Sequence, residues 1–243
     1  MGKTGVLYGV GVGPGDAELM TRKAVRILGE AQVIAVPKSA EASADGLSKA
    51  LSIAGAVVDM TGKTVVELPF PMTRDKERLR ASRAAAASVV AGHLAAGRDA
   101  AFITLGDALL YSTFGYIVPF VKELLPDARV DYVPGITSFS AAAALSGMPL
   151  AESGERLAVI PAAYDMEEAR GALAAFDTVV FMKVNRAIDR ITALLEEVGV
   201  ADRAVFVSRA GWPGEQVVTD ISELKGATLD YFSLIIVRKG RSS

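Results

Sequence analysis

The chain has 243 residues, of which 51% are hydrophobic and 22% charged, with a net charge of −2. That length and balance suit one large or two small domains with a substantial core, and they exclude a disordered chain. There is no basic block for nucleic acid, and with no cysteine there are no disulfides, thiolate metal sites or Cys nucleophiles.

The N-terminus, Met1-Gly-Lys-Thr, leads straight into an apolar run without a signal-peptide pattern. Apolar runs stay well below the ~18 residues a membrane span needs. The expectation is a cytoplasmic protein with no membrane or nucleic-acid partner. Val6–Val10 is the first predicted strand, and it enters Gly9-Val-Gly-Val-Gly-Pro-Gly-Asp16. An ordinary strand-to-helix turn needs one glycine; four alternating glycines suit a backbone that a ligand approaches closely. The dinucleotide spacing G-x-G-x-x-G fails, because Pro14 or Asp16 stands where the third glycine belongs. Pro14 also has no N–H to offer a phosphate. Asp16 is a candidate N-cap for a helix through Met20, Ala24, Ile27, Leu28 and Ala31.

Strands follow at Gln32–Val36, Val65–Leu68 and Ala100–Leu105, with an alanine-rich helix over Arg74–Ala96 stopped by Gly97. The sole histidine, His93, lies in that helix; alone it makes neither a zinc site nor a triad, and no G-x-S-x-G is present. The fourth strand ends in Leu105-Gly-Asp-Ala-Leu-Leu-Tyr-Ser112. Asp107 there could cap a helix or meet a ligand, since ligands collect beyond the carboxyl ends of such strands. A helix over Ser112–Leu125 ends at Pro126.

A boundary near Pro126–Asp127 divides the chain into residues 1–126 and 127–243, two α/β domains, the first mostly parallel and the second mixed. The second has predicted strands at Val130–Val133, Leu157–Ile160, Thr178–Val184, Ala204–Ser208, Gln216–Thr219 and Phe232–Arg238, closing in a hairpin region. Helices are predicted over Thr137–Leu145 and Ala187–Val198. Three motifs stand at strand ends: Val133-Pro-Gly-Ile-Thr-Ser138, whose hydroxyls can cap a helix or meet a ligand; Met182-Lys-Val184; and Val207-Ser-Arg-Ala-Gly211. Taken alone, Met182 reads as core and Arg209 as a surface charge.

In this order, G-x-G-P-G-D, L-G-D-x-x-x-Y-S, V-P-G-I-T-S, M-K and S-R-A-G resemble the tetrapyrrole methylases, the class III S-adenosylmethionine-dependent methyltransferases. The resemblance covers nearly the whole chain. The second and third motifs and the tail Leu229-Asp-Tyr-Phe-Ser-Leu-Ile-Ile-Val-Arg-Lys239 are most similar to the branch that methylates C20 of precorrin-2 or cobalt-precorrin-2 in cobalamin biosynthesis. One departure is Ala108, where the family usually has Pro; the substitution loosens the loop without removing a donor.

The resemblance implies a homodimer of two-domain subunits with S-adenosylmethionine in the cleft between domains and no protein-bound metal. It implies cofactor contacts at Pro14, Leu105, Gly106, Asp107, Leu110, Tyr111, Thr137, Ser138, Met182, Arg209 and Ala210. Lys38 and Arg209 are the leading candidates to meet the carboxylates of the tetrapyrrole, with Arg74, Lys183 and Arg186 behind them, because buried unpaired carboxylates are expensive. No base declares itself; Asp107 is the first candidate. The competing readings are methylation at another ring position or of diphthamide, a nicotinamide-dependent oxidoreductase, and a non-enzymatic binding module. Against the oxidoreductase stand the broken spacing and Pro37-Lys38 in place of an acidic residue after the second strand.

Overall fold

The structure, a computed structural model, describes residues 3–39, 48–161 and 165–240. It divides into two compact units, Met1–Thr137 and Ser138–Ser243.

The first unit is built on five parallel strands: β1 (Val6–Gly11), β2 (Val33–Ser39), β3 (Thr64–Phe70), β4 (Ala100–Thr104) and β5 (Arg129–Val133), in the order β3-β2-β4-β1-β5. Every residue of β4 is buried, as a continuous apolar strand covered on both faces should be. On one face Leu7, Ala35 and Phe102 pack with α3 (Lys76–Ala95) and α4 (Phe114–Leu124). Their sequence neighbours Ile34, Val36, Ala101 and Ile103, which point the other way, are equally buried. The remaining helices, α1 (Arg22–Glu30) and α2 (Lys49–Gly55), pack against β1 and β4.

The second unit holds a mixed sheet in the order β6-β7-β10-β8-β9: β6 (Leu157–Pro161), β7 (Thr178–Met182), β8 (Ala204–Ser208), β9 (Gln216–Val218) and β10 (Ser233–Arg238). The last strand lies at the centre, antiparallel to β7 and to β8. Ile235, Phe181 and Phe206 face α6 (Met166–Ala175) and α7 (Ile188–Glu197). Leu234, Ile236 and Val207 face α5 (Ser138–Ser146).

All ten predicted apolar runs are strands. The differences lie at ends and in short helices. Asp16 caps only a 3-10 turn, Ala17–Leu19, by accepting from the Glu18 N–H at 2.8 Å; α1 starts five residues further on because Thr21 accepts from the Ala24 N–H at 3.1 Å. Asp107 is not the cap of α4, which starts at Phe114. The short helices α2 and α6 had no expectation, although Asp165 caps α6 through the N–H groups of Glu167 and Glu168. The hairpin-like pair is β8 with β9, and β10 inserts between β7 and β8. β5 belongs to the first sheet, pairing with β1 from Val6↔Arg129 to Val10↔Val133, so the units divide after Thr137 rather than at 126.

Candidate functional site

β1 and β4 are neighbours whose chains leave in opposite directions. β1 leads past β4 to β2, and β4 leads past β1 to β5. Such a switch point opens a crevice beyond the carboxyl ends of the strands. Here the loops after β1, β4 and β5 are tied together. The Val12 N–H donates to the Thr104 carbonyl at 2.9 Å. Gly13 and Gly106 exchange both backbone bonds, Gly13 N–H to Gly106 O at 3.2 Å and Gly106 N–H to Gly13 O at 2.7 Å. Both glycines have positive φ, +83° and +67°.

Asp107 completes the junction. Its Oδ1 accepts from the Leu109 N–H at 2.8 Å, and its Oδ2 accepts from the Gly135 N–H at 3.0 Å. A Cβ placed on Gly135 would stand 2.1 Å from the Gly106 carbonyl oxygen, and one on Gly11 would stand 2.5 Å from the same atom. Two glycines of the first motif therefore admit neighbouring parts of the protein. Gly11 admits the Gly106 and Gly135 backbones, and Gly9 admits the Phe114 ring, which a Cβ would meet at 2.1 Å. At these two positions packing within the protein is by itself enough to require glycine. The junction also counts against a pyrophosphate, because the N–H groups of Val12, Gly13 and Gly106 are already spent on backbone carbonyls.

The predicted contact residues of this unit follow the junction. Pro14 is buried; Leu105, Gly106 and Asp107 are half-buried; Thr137 is half-buried at the end of the β5 loop. Leu110 and Tyr111 are exposed, and Tyr111 has a positive φ of +51°. Ala108 is buried.

The second unit carries its own set at the carboxyl ends of β7 and β8. Met182 and Ala210 pack against the apolar cluster of Val180, Val207 and Leu234. Ser138 opens α5. Lys183 and Arg209 each follow a strand with positive φ, +56° and +54°. Their N–H groups donate to the chain entering β10: Lys183 to the Ser233 carbonyl and Arg209 to the Phe232 carbonyl, both at 2.8 Å. The Lys183 amine lies 5.4 Å from the centre of the Tyr231 ring, and Arg209 Nη1 lies 4.0 Å from Asp230 Oδ2. Among the described residues, Tyr111, Lys183 and Arg209 are the non-glycine residues with positive φ. All three stand in motifs singled out from sequence, as backbone strain tends to do at functional sites. Asp230 and Tyr231, the partners of the two cations, belong to the tail motif but were not expected as site residues.

The other predicted cations are placed differently. Lys38 donates to Glu67 Oε2 at 2.7 Å across β2 and β3, so its charge already has a partner. Arg74 and Arg186 are exposed. His93 is in the last turn of α3 with Nδ1 buried and unpartnered; burial, then Arg98, lowers its pKa. Among the described residues no group of three or more His, Asp or Glu could hold a metal ion.

A parallel α/β unit with a glycine-built switch point, followed by a mixed α/β unit with strained cations at its strand ends, defines a two-unit α/β architecture. The family model for Tetrapyrrole (Corrin/Porphyrin) Methylases matches residues 6–225, and the chain belongs to that family. It is 38% identical over 238 residues to a cobalt-precorrin-2 C(20)-methyltransferase of Salmonella typhimurium (strain LT2), covering 97% of each. It is 35% identical over 243 residues to a precorrin-2 C(20)-methyltransferase of Sinorhizobium sp, covering 96% of this chain and 95% of the relative. The fold matches a crystal structure of uroporphyrin-III C-methyltransferase from Thermus thermophilus complexed with S-adenosylhomocysteine. The TM-score is 0.66 at 25% identity, over 97% of this chain and 98% of the other.

Proposed function

We propose that this protein transfers a methyl group from S-adenosylmethionine to C20 of precorrin-2 or cobalt-precorrin-2 in cobalamin biosynthesis. The observation that carries the reading is full-length similarity to two relatives named for that reaction, at 38% and 35% identity. A homodimer, which the family resemblance implies, is part of the same reading, as are a cytoplasmic location and the absence of a nucleic-acid partner, which rest on the lack of a signal-peptide pattern and of a basic block. No helix of the described residues is long and apolar enough to cross a membrane.

A nucleoside thioether needs apolar contacts and a few backbone groups. Within the first unit, Leu110, Tyr111 and the half-buried backbone of Leu105–Gly106 are groups of that kind, and within the second, Met182 is. Pro14, Thr137, Ser138 and Ala210 complete the proposed contact set. The donor supplies an activated sulfonium methyl, so the chemistry of transfer asks the protein mainly for alignment and exclusion of water. Arg209 is proposed to face both the cofactor and a tetrapyrrole carboxylate, with Lys183 beside it. Lys38 takes a lesser part, since Glu67 competes for its amine.

The test is calorimetry with S-adenosylhomocysteine and NAD, followed by anaerobic turnover with metal-free and cobalt-loaded precorrin-2. S-adenosylhomocysteine is expected to bind and NAD is not. Tight NAD binding without S-adenosylhomocysteine binding overturns the reading in favour of an oxidoreductase. Binding without turnover of either tetrapyrrole favours a binding module.

A further inference from the structure

We propose that Asp107 is a positioning residue: one carboxylate holds two of the three loops from which the first unit's proposed cofactor contacts come, those after β4 and β5, and it does not act as the proton acceptor. The inference rests on the methyltransferase reading above and goes further by assigning the one acidic residue that reading left open.

Geometry supports the assignment. Oδ1 accepts from Leu109 N–H, two residues ahead, which fixes the turn that carries Leu110 and the positive-φ Tyr111. Oδ2 accepts from Gly135 N–H, twenty-eight residues away in sequence, which fixes the turn leading to Thr137. The two oxygens thus serve different loops. The junction beneath has no slack, because Gly135 already lies so close to Gly106 and Gly11 that a single added carbon would overlap their backbones. Taking up a proton would remove the negative charge that strengthens both bonds. A base at this position would loosen the loops at the moment they must hold donor and acceptor in line.

Three substitutions separate the roles. Asp107→Asn keeps one oxygen and turns an N–H toward the other backbone donor, so one bond is lost. Asp107→Glu keeps the carboxylate but carries it one methylene beyond the position from which Oδ1 and Oδ2 meet the Leu109 and Gly135 N–H groups. Asp107→Ala removes both bonds. A hydrogen bond to a charged group is worth roughly ten- to a hundred-fold in an equilibrium constant. The expected result is a rise of about ten-fold for Asn, and about a hundred-fold for Glu and Ala, in the Kd of S-adenosylhomocysteine and the KM of S-adenosylmethionine. At saturating cofactor the kcat–pH profile of Asp107→Asn should keep its wild-type shape.

A base would give the reverse order. Glu would then outperform Asn, kcat would fall by about 10²–10⁴ in Asn, and the acid limb of the profile would vanish. That result overturns the proposal. So does a fall in thermal midpoint in all three variants with Kd and KM unchanged, which would make Asp107 a structural tie only. The clamp can also be read without ligand: amide hydrogen exchange at Leu109 and Gly135 should quicken in Asp107→Ala, and unchanged protection there contradicts it. Wild-type protein that fails to bind S-adenosylhomocysteine would sink the functional reading while leaving the exchange measurement to judge the clamp.

Discussion

The two units make sharp turns at their strand ends in opposite ways. In the first, positive φ falls on Gly13 and Gly106, where no side chain is present to be strained. In the second, the corresponding turns fall on Lys183 and Arg209, where a left-handed backbone costs about 1–2 kcal/mol each. Glycine would be the easier choice at both positions. The difference separates what each edge is for. Where the first unit brings the loops after β1, β4 and β5 into contact, at Gly11, Gly13, Gly106 and Gly135, side chains are excluded, whereas Tyr111, with φ +51°, stands further along the loop after β4. The second retains two cations in a strained conformation, which is reasonable when the charges themselves are wanted.

The sharpest break of this comparison is Gly135→Ala. Its Cβ would overlap the Gly106 carbonyl, and both atoms belong to the backbone or its first carbon, so no rotamer relieves the clash. Stability should fall by about 3–5 kcal/mol, roughly 10 °C in Tm, and S-adenosylhomocysteine binding should be lost. Gly199→Ala is the control. Unlike Gly135 it has a positive φ, +68°, and nothing lies within 4 Å of the added carbon. It should cost only about 1–2 kcal/mol and leave binding intact. Equal losses at the two positions would mean that the close approach at Gly135 costs no more than a left-handed backbone does at an open site, and would contradict a contact-driven need for glycine in the first unit.

Arg209→Gly and Lys183→Gly probe the other side. Relief of the left-handed backbone offsets the added freedom of the unfolded chain, so stability should stay within ~1 kcal/mol of wild type. The KM for the tetrapyrrole should nevertheless rise about ten-fold or more for Arg209→Gly. A large stability loss with unchanged kinetics would show that these cations serve the fold through Asp230 and Tyr231. Lys38→Ala should raise the same KM by less, because Glu67 already engages its amine. As a half-exposed ion pair it should change stability by only ~0–1 kcal/mol.

The smallest effect concerns pH. Burial first, then Arg98, lowers the pKa of His93 in the folded protein below its ordinary 6.5. Below that value the unfolded chain takes up a proton that the folded chain refuses. Stability contributed by neutral His93 is therefore present above about pH 6.5 and is lost as pH falls toward the folded pKa. His93→Gln should flatten this part of a Tm–pH curve; an unchanged slope would assign the dependence to other groups.

The strands were legible because continuous apolar runs such as Ala101-Phe-Ile-Thr104 and Leu234-Ile-Ile-Val237 are buried on both faces. The motif positions were legible because punctuating glycines and charged residues interrupt those runs at their ends. Helix starts were less so. Asp16 and Thr21 are both competent caps, and the choice between them depends on which N–H each reaches in three dimensions. The unit boundary was misplaced because Pro126 marks the end of α4, whereas the pairing of β5 with β1 spans more than a hundred residues. The double role of Asp107 could not be read from spacing, since Gly135 becomes its neighbour only when two strands separated by β1 are brought into one sheet.

The central claim is tested most directly by incubating the protein anaerobically with precorrin-2, metal-free and cobalt-loaded, and S-adenosylmethionine carrying a ¹³C methyl group, then locating the label by NMR. The account predicts one new labelled methyl on C20 of at least one of the two tetrapyrroles. Label found only on another ring carbon, or no transfer to either substrate by protein that binds S-adenosylhomocysteine, would contradict it.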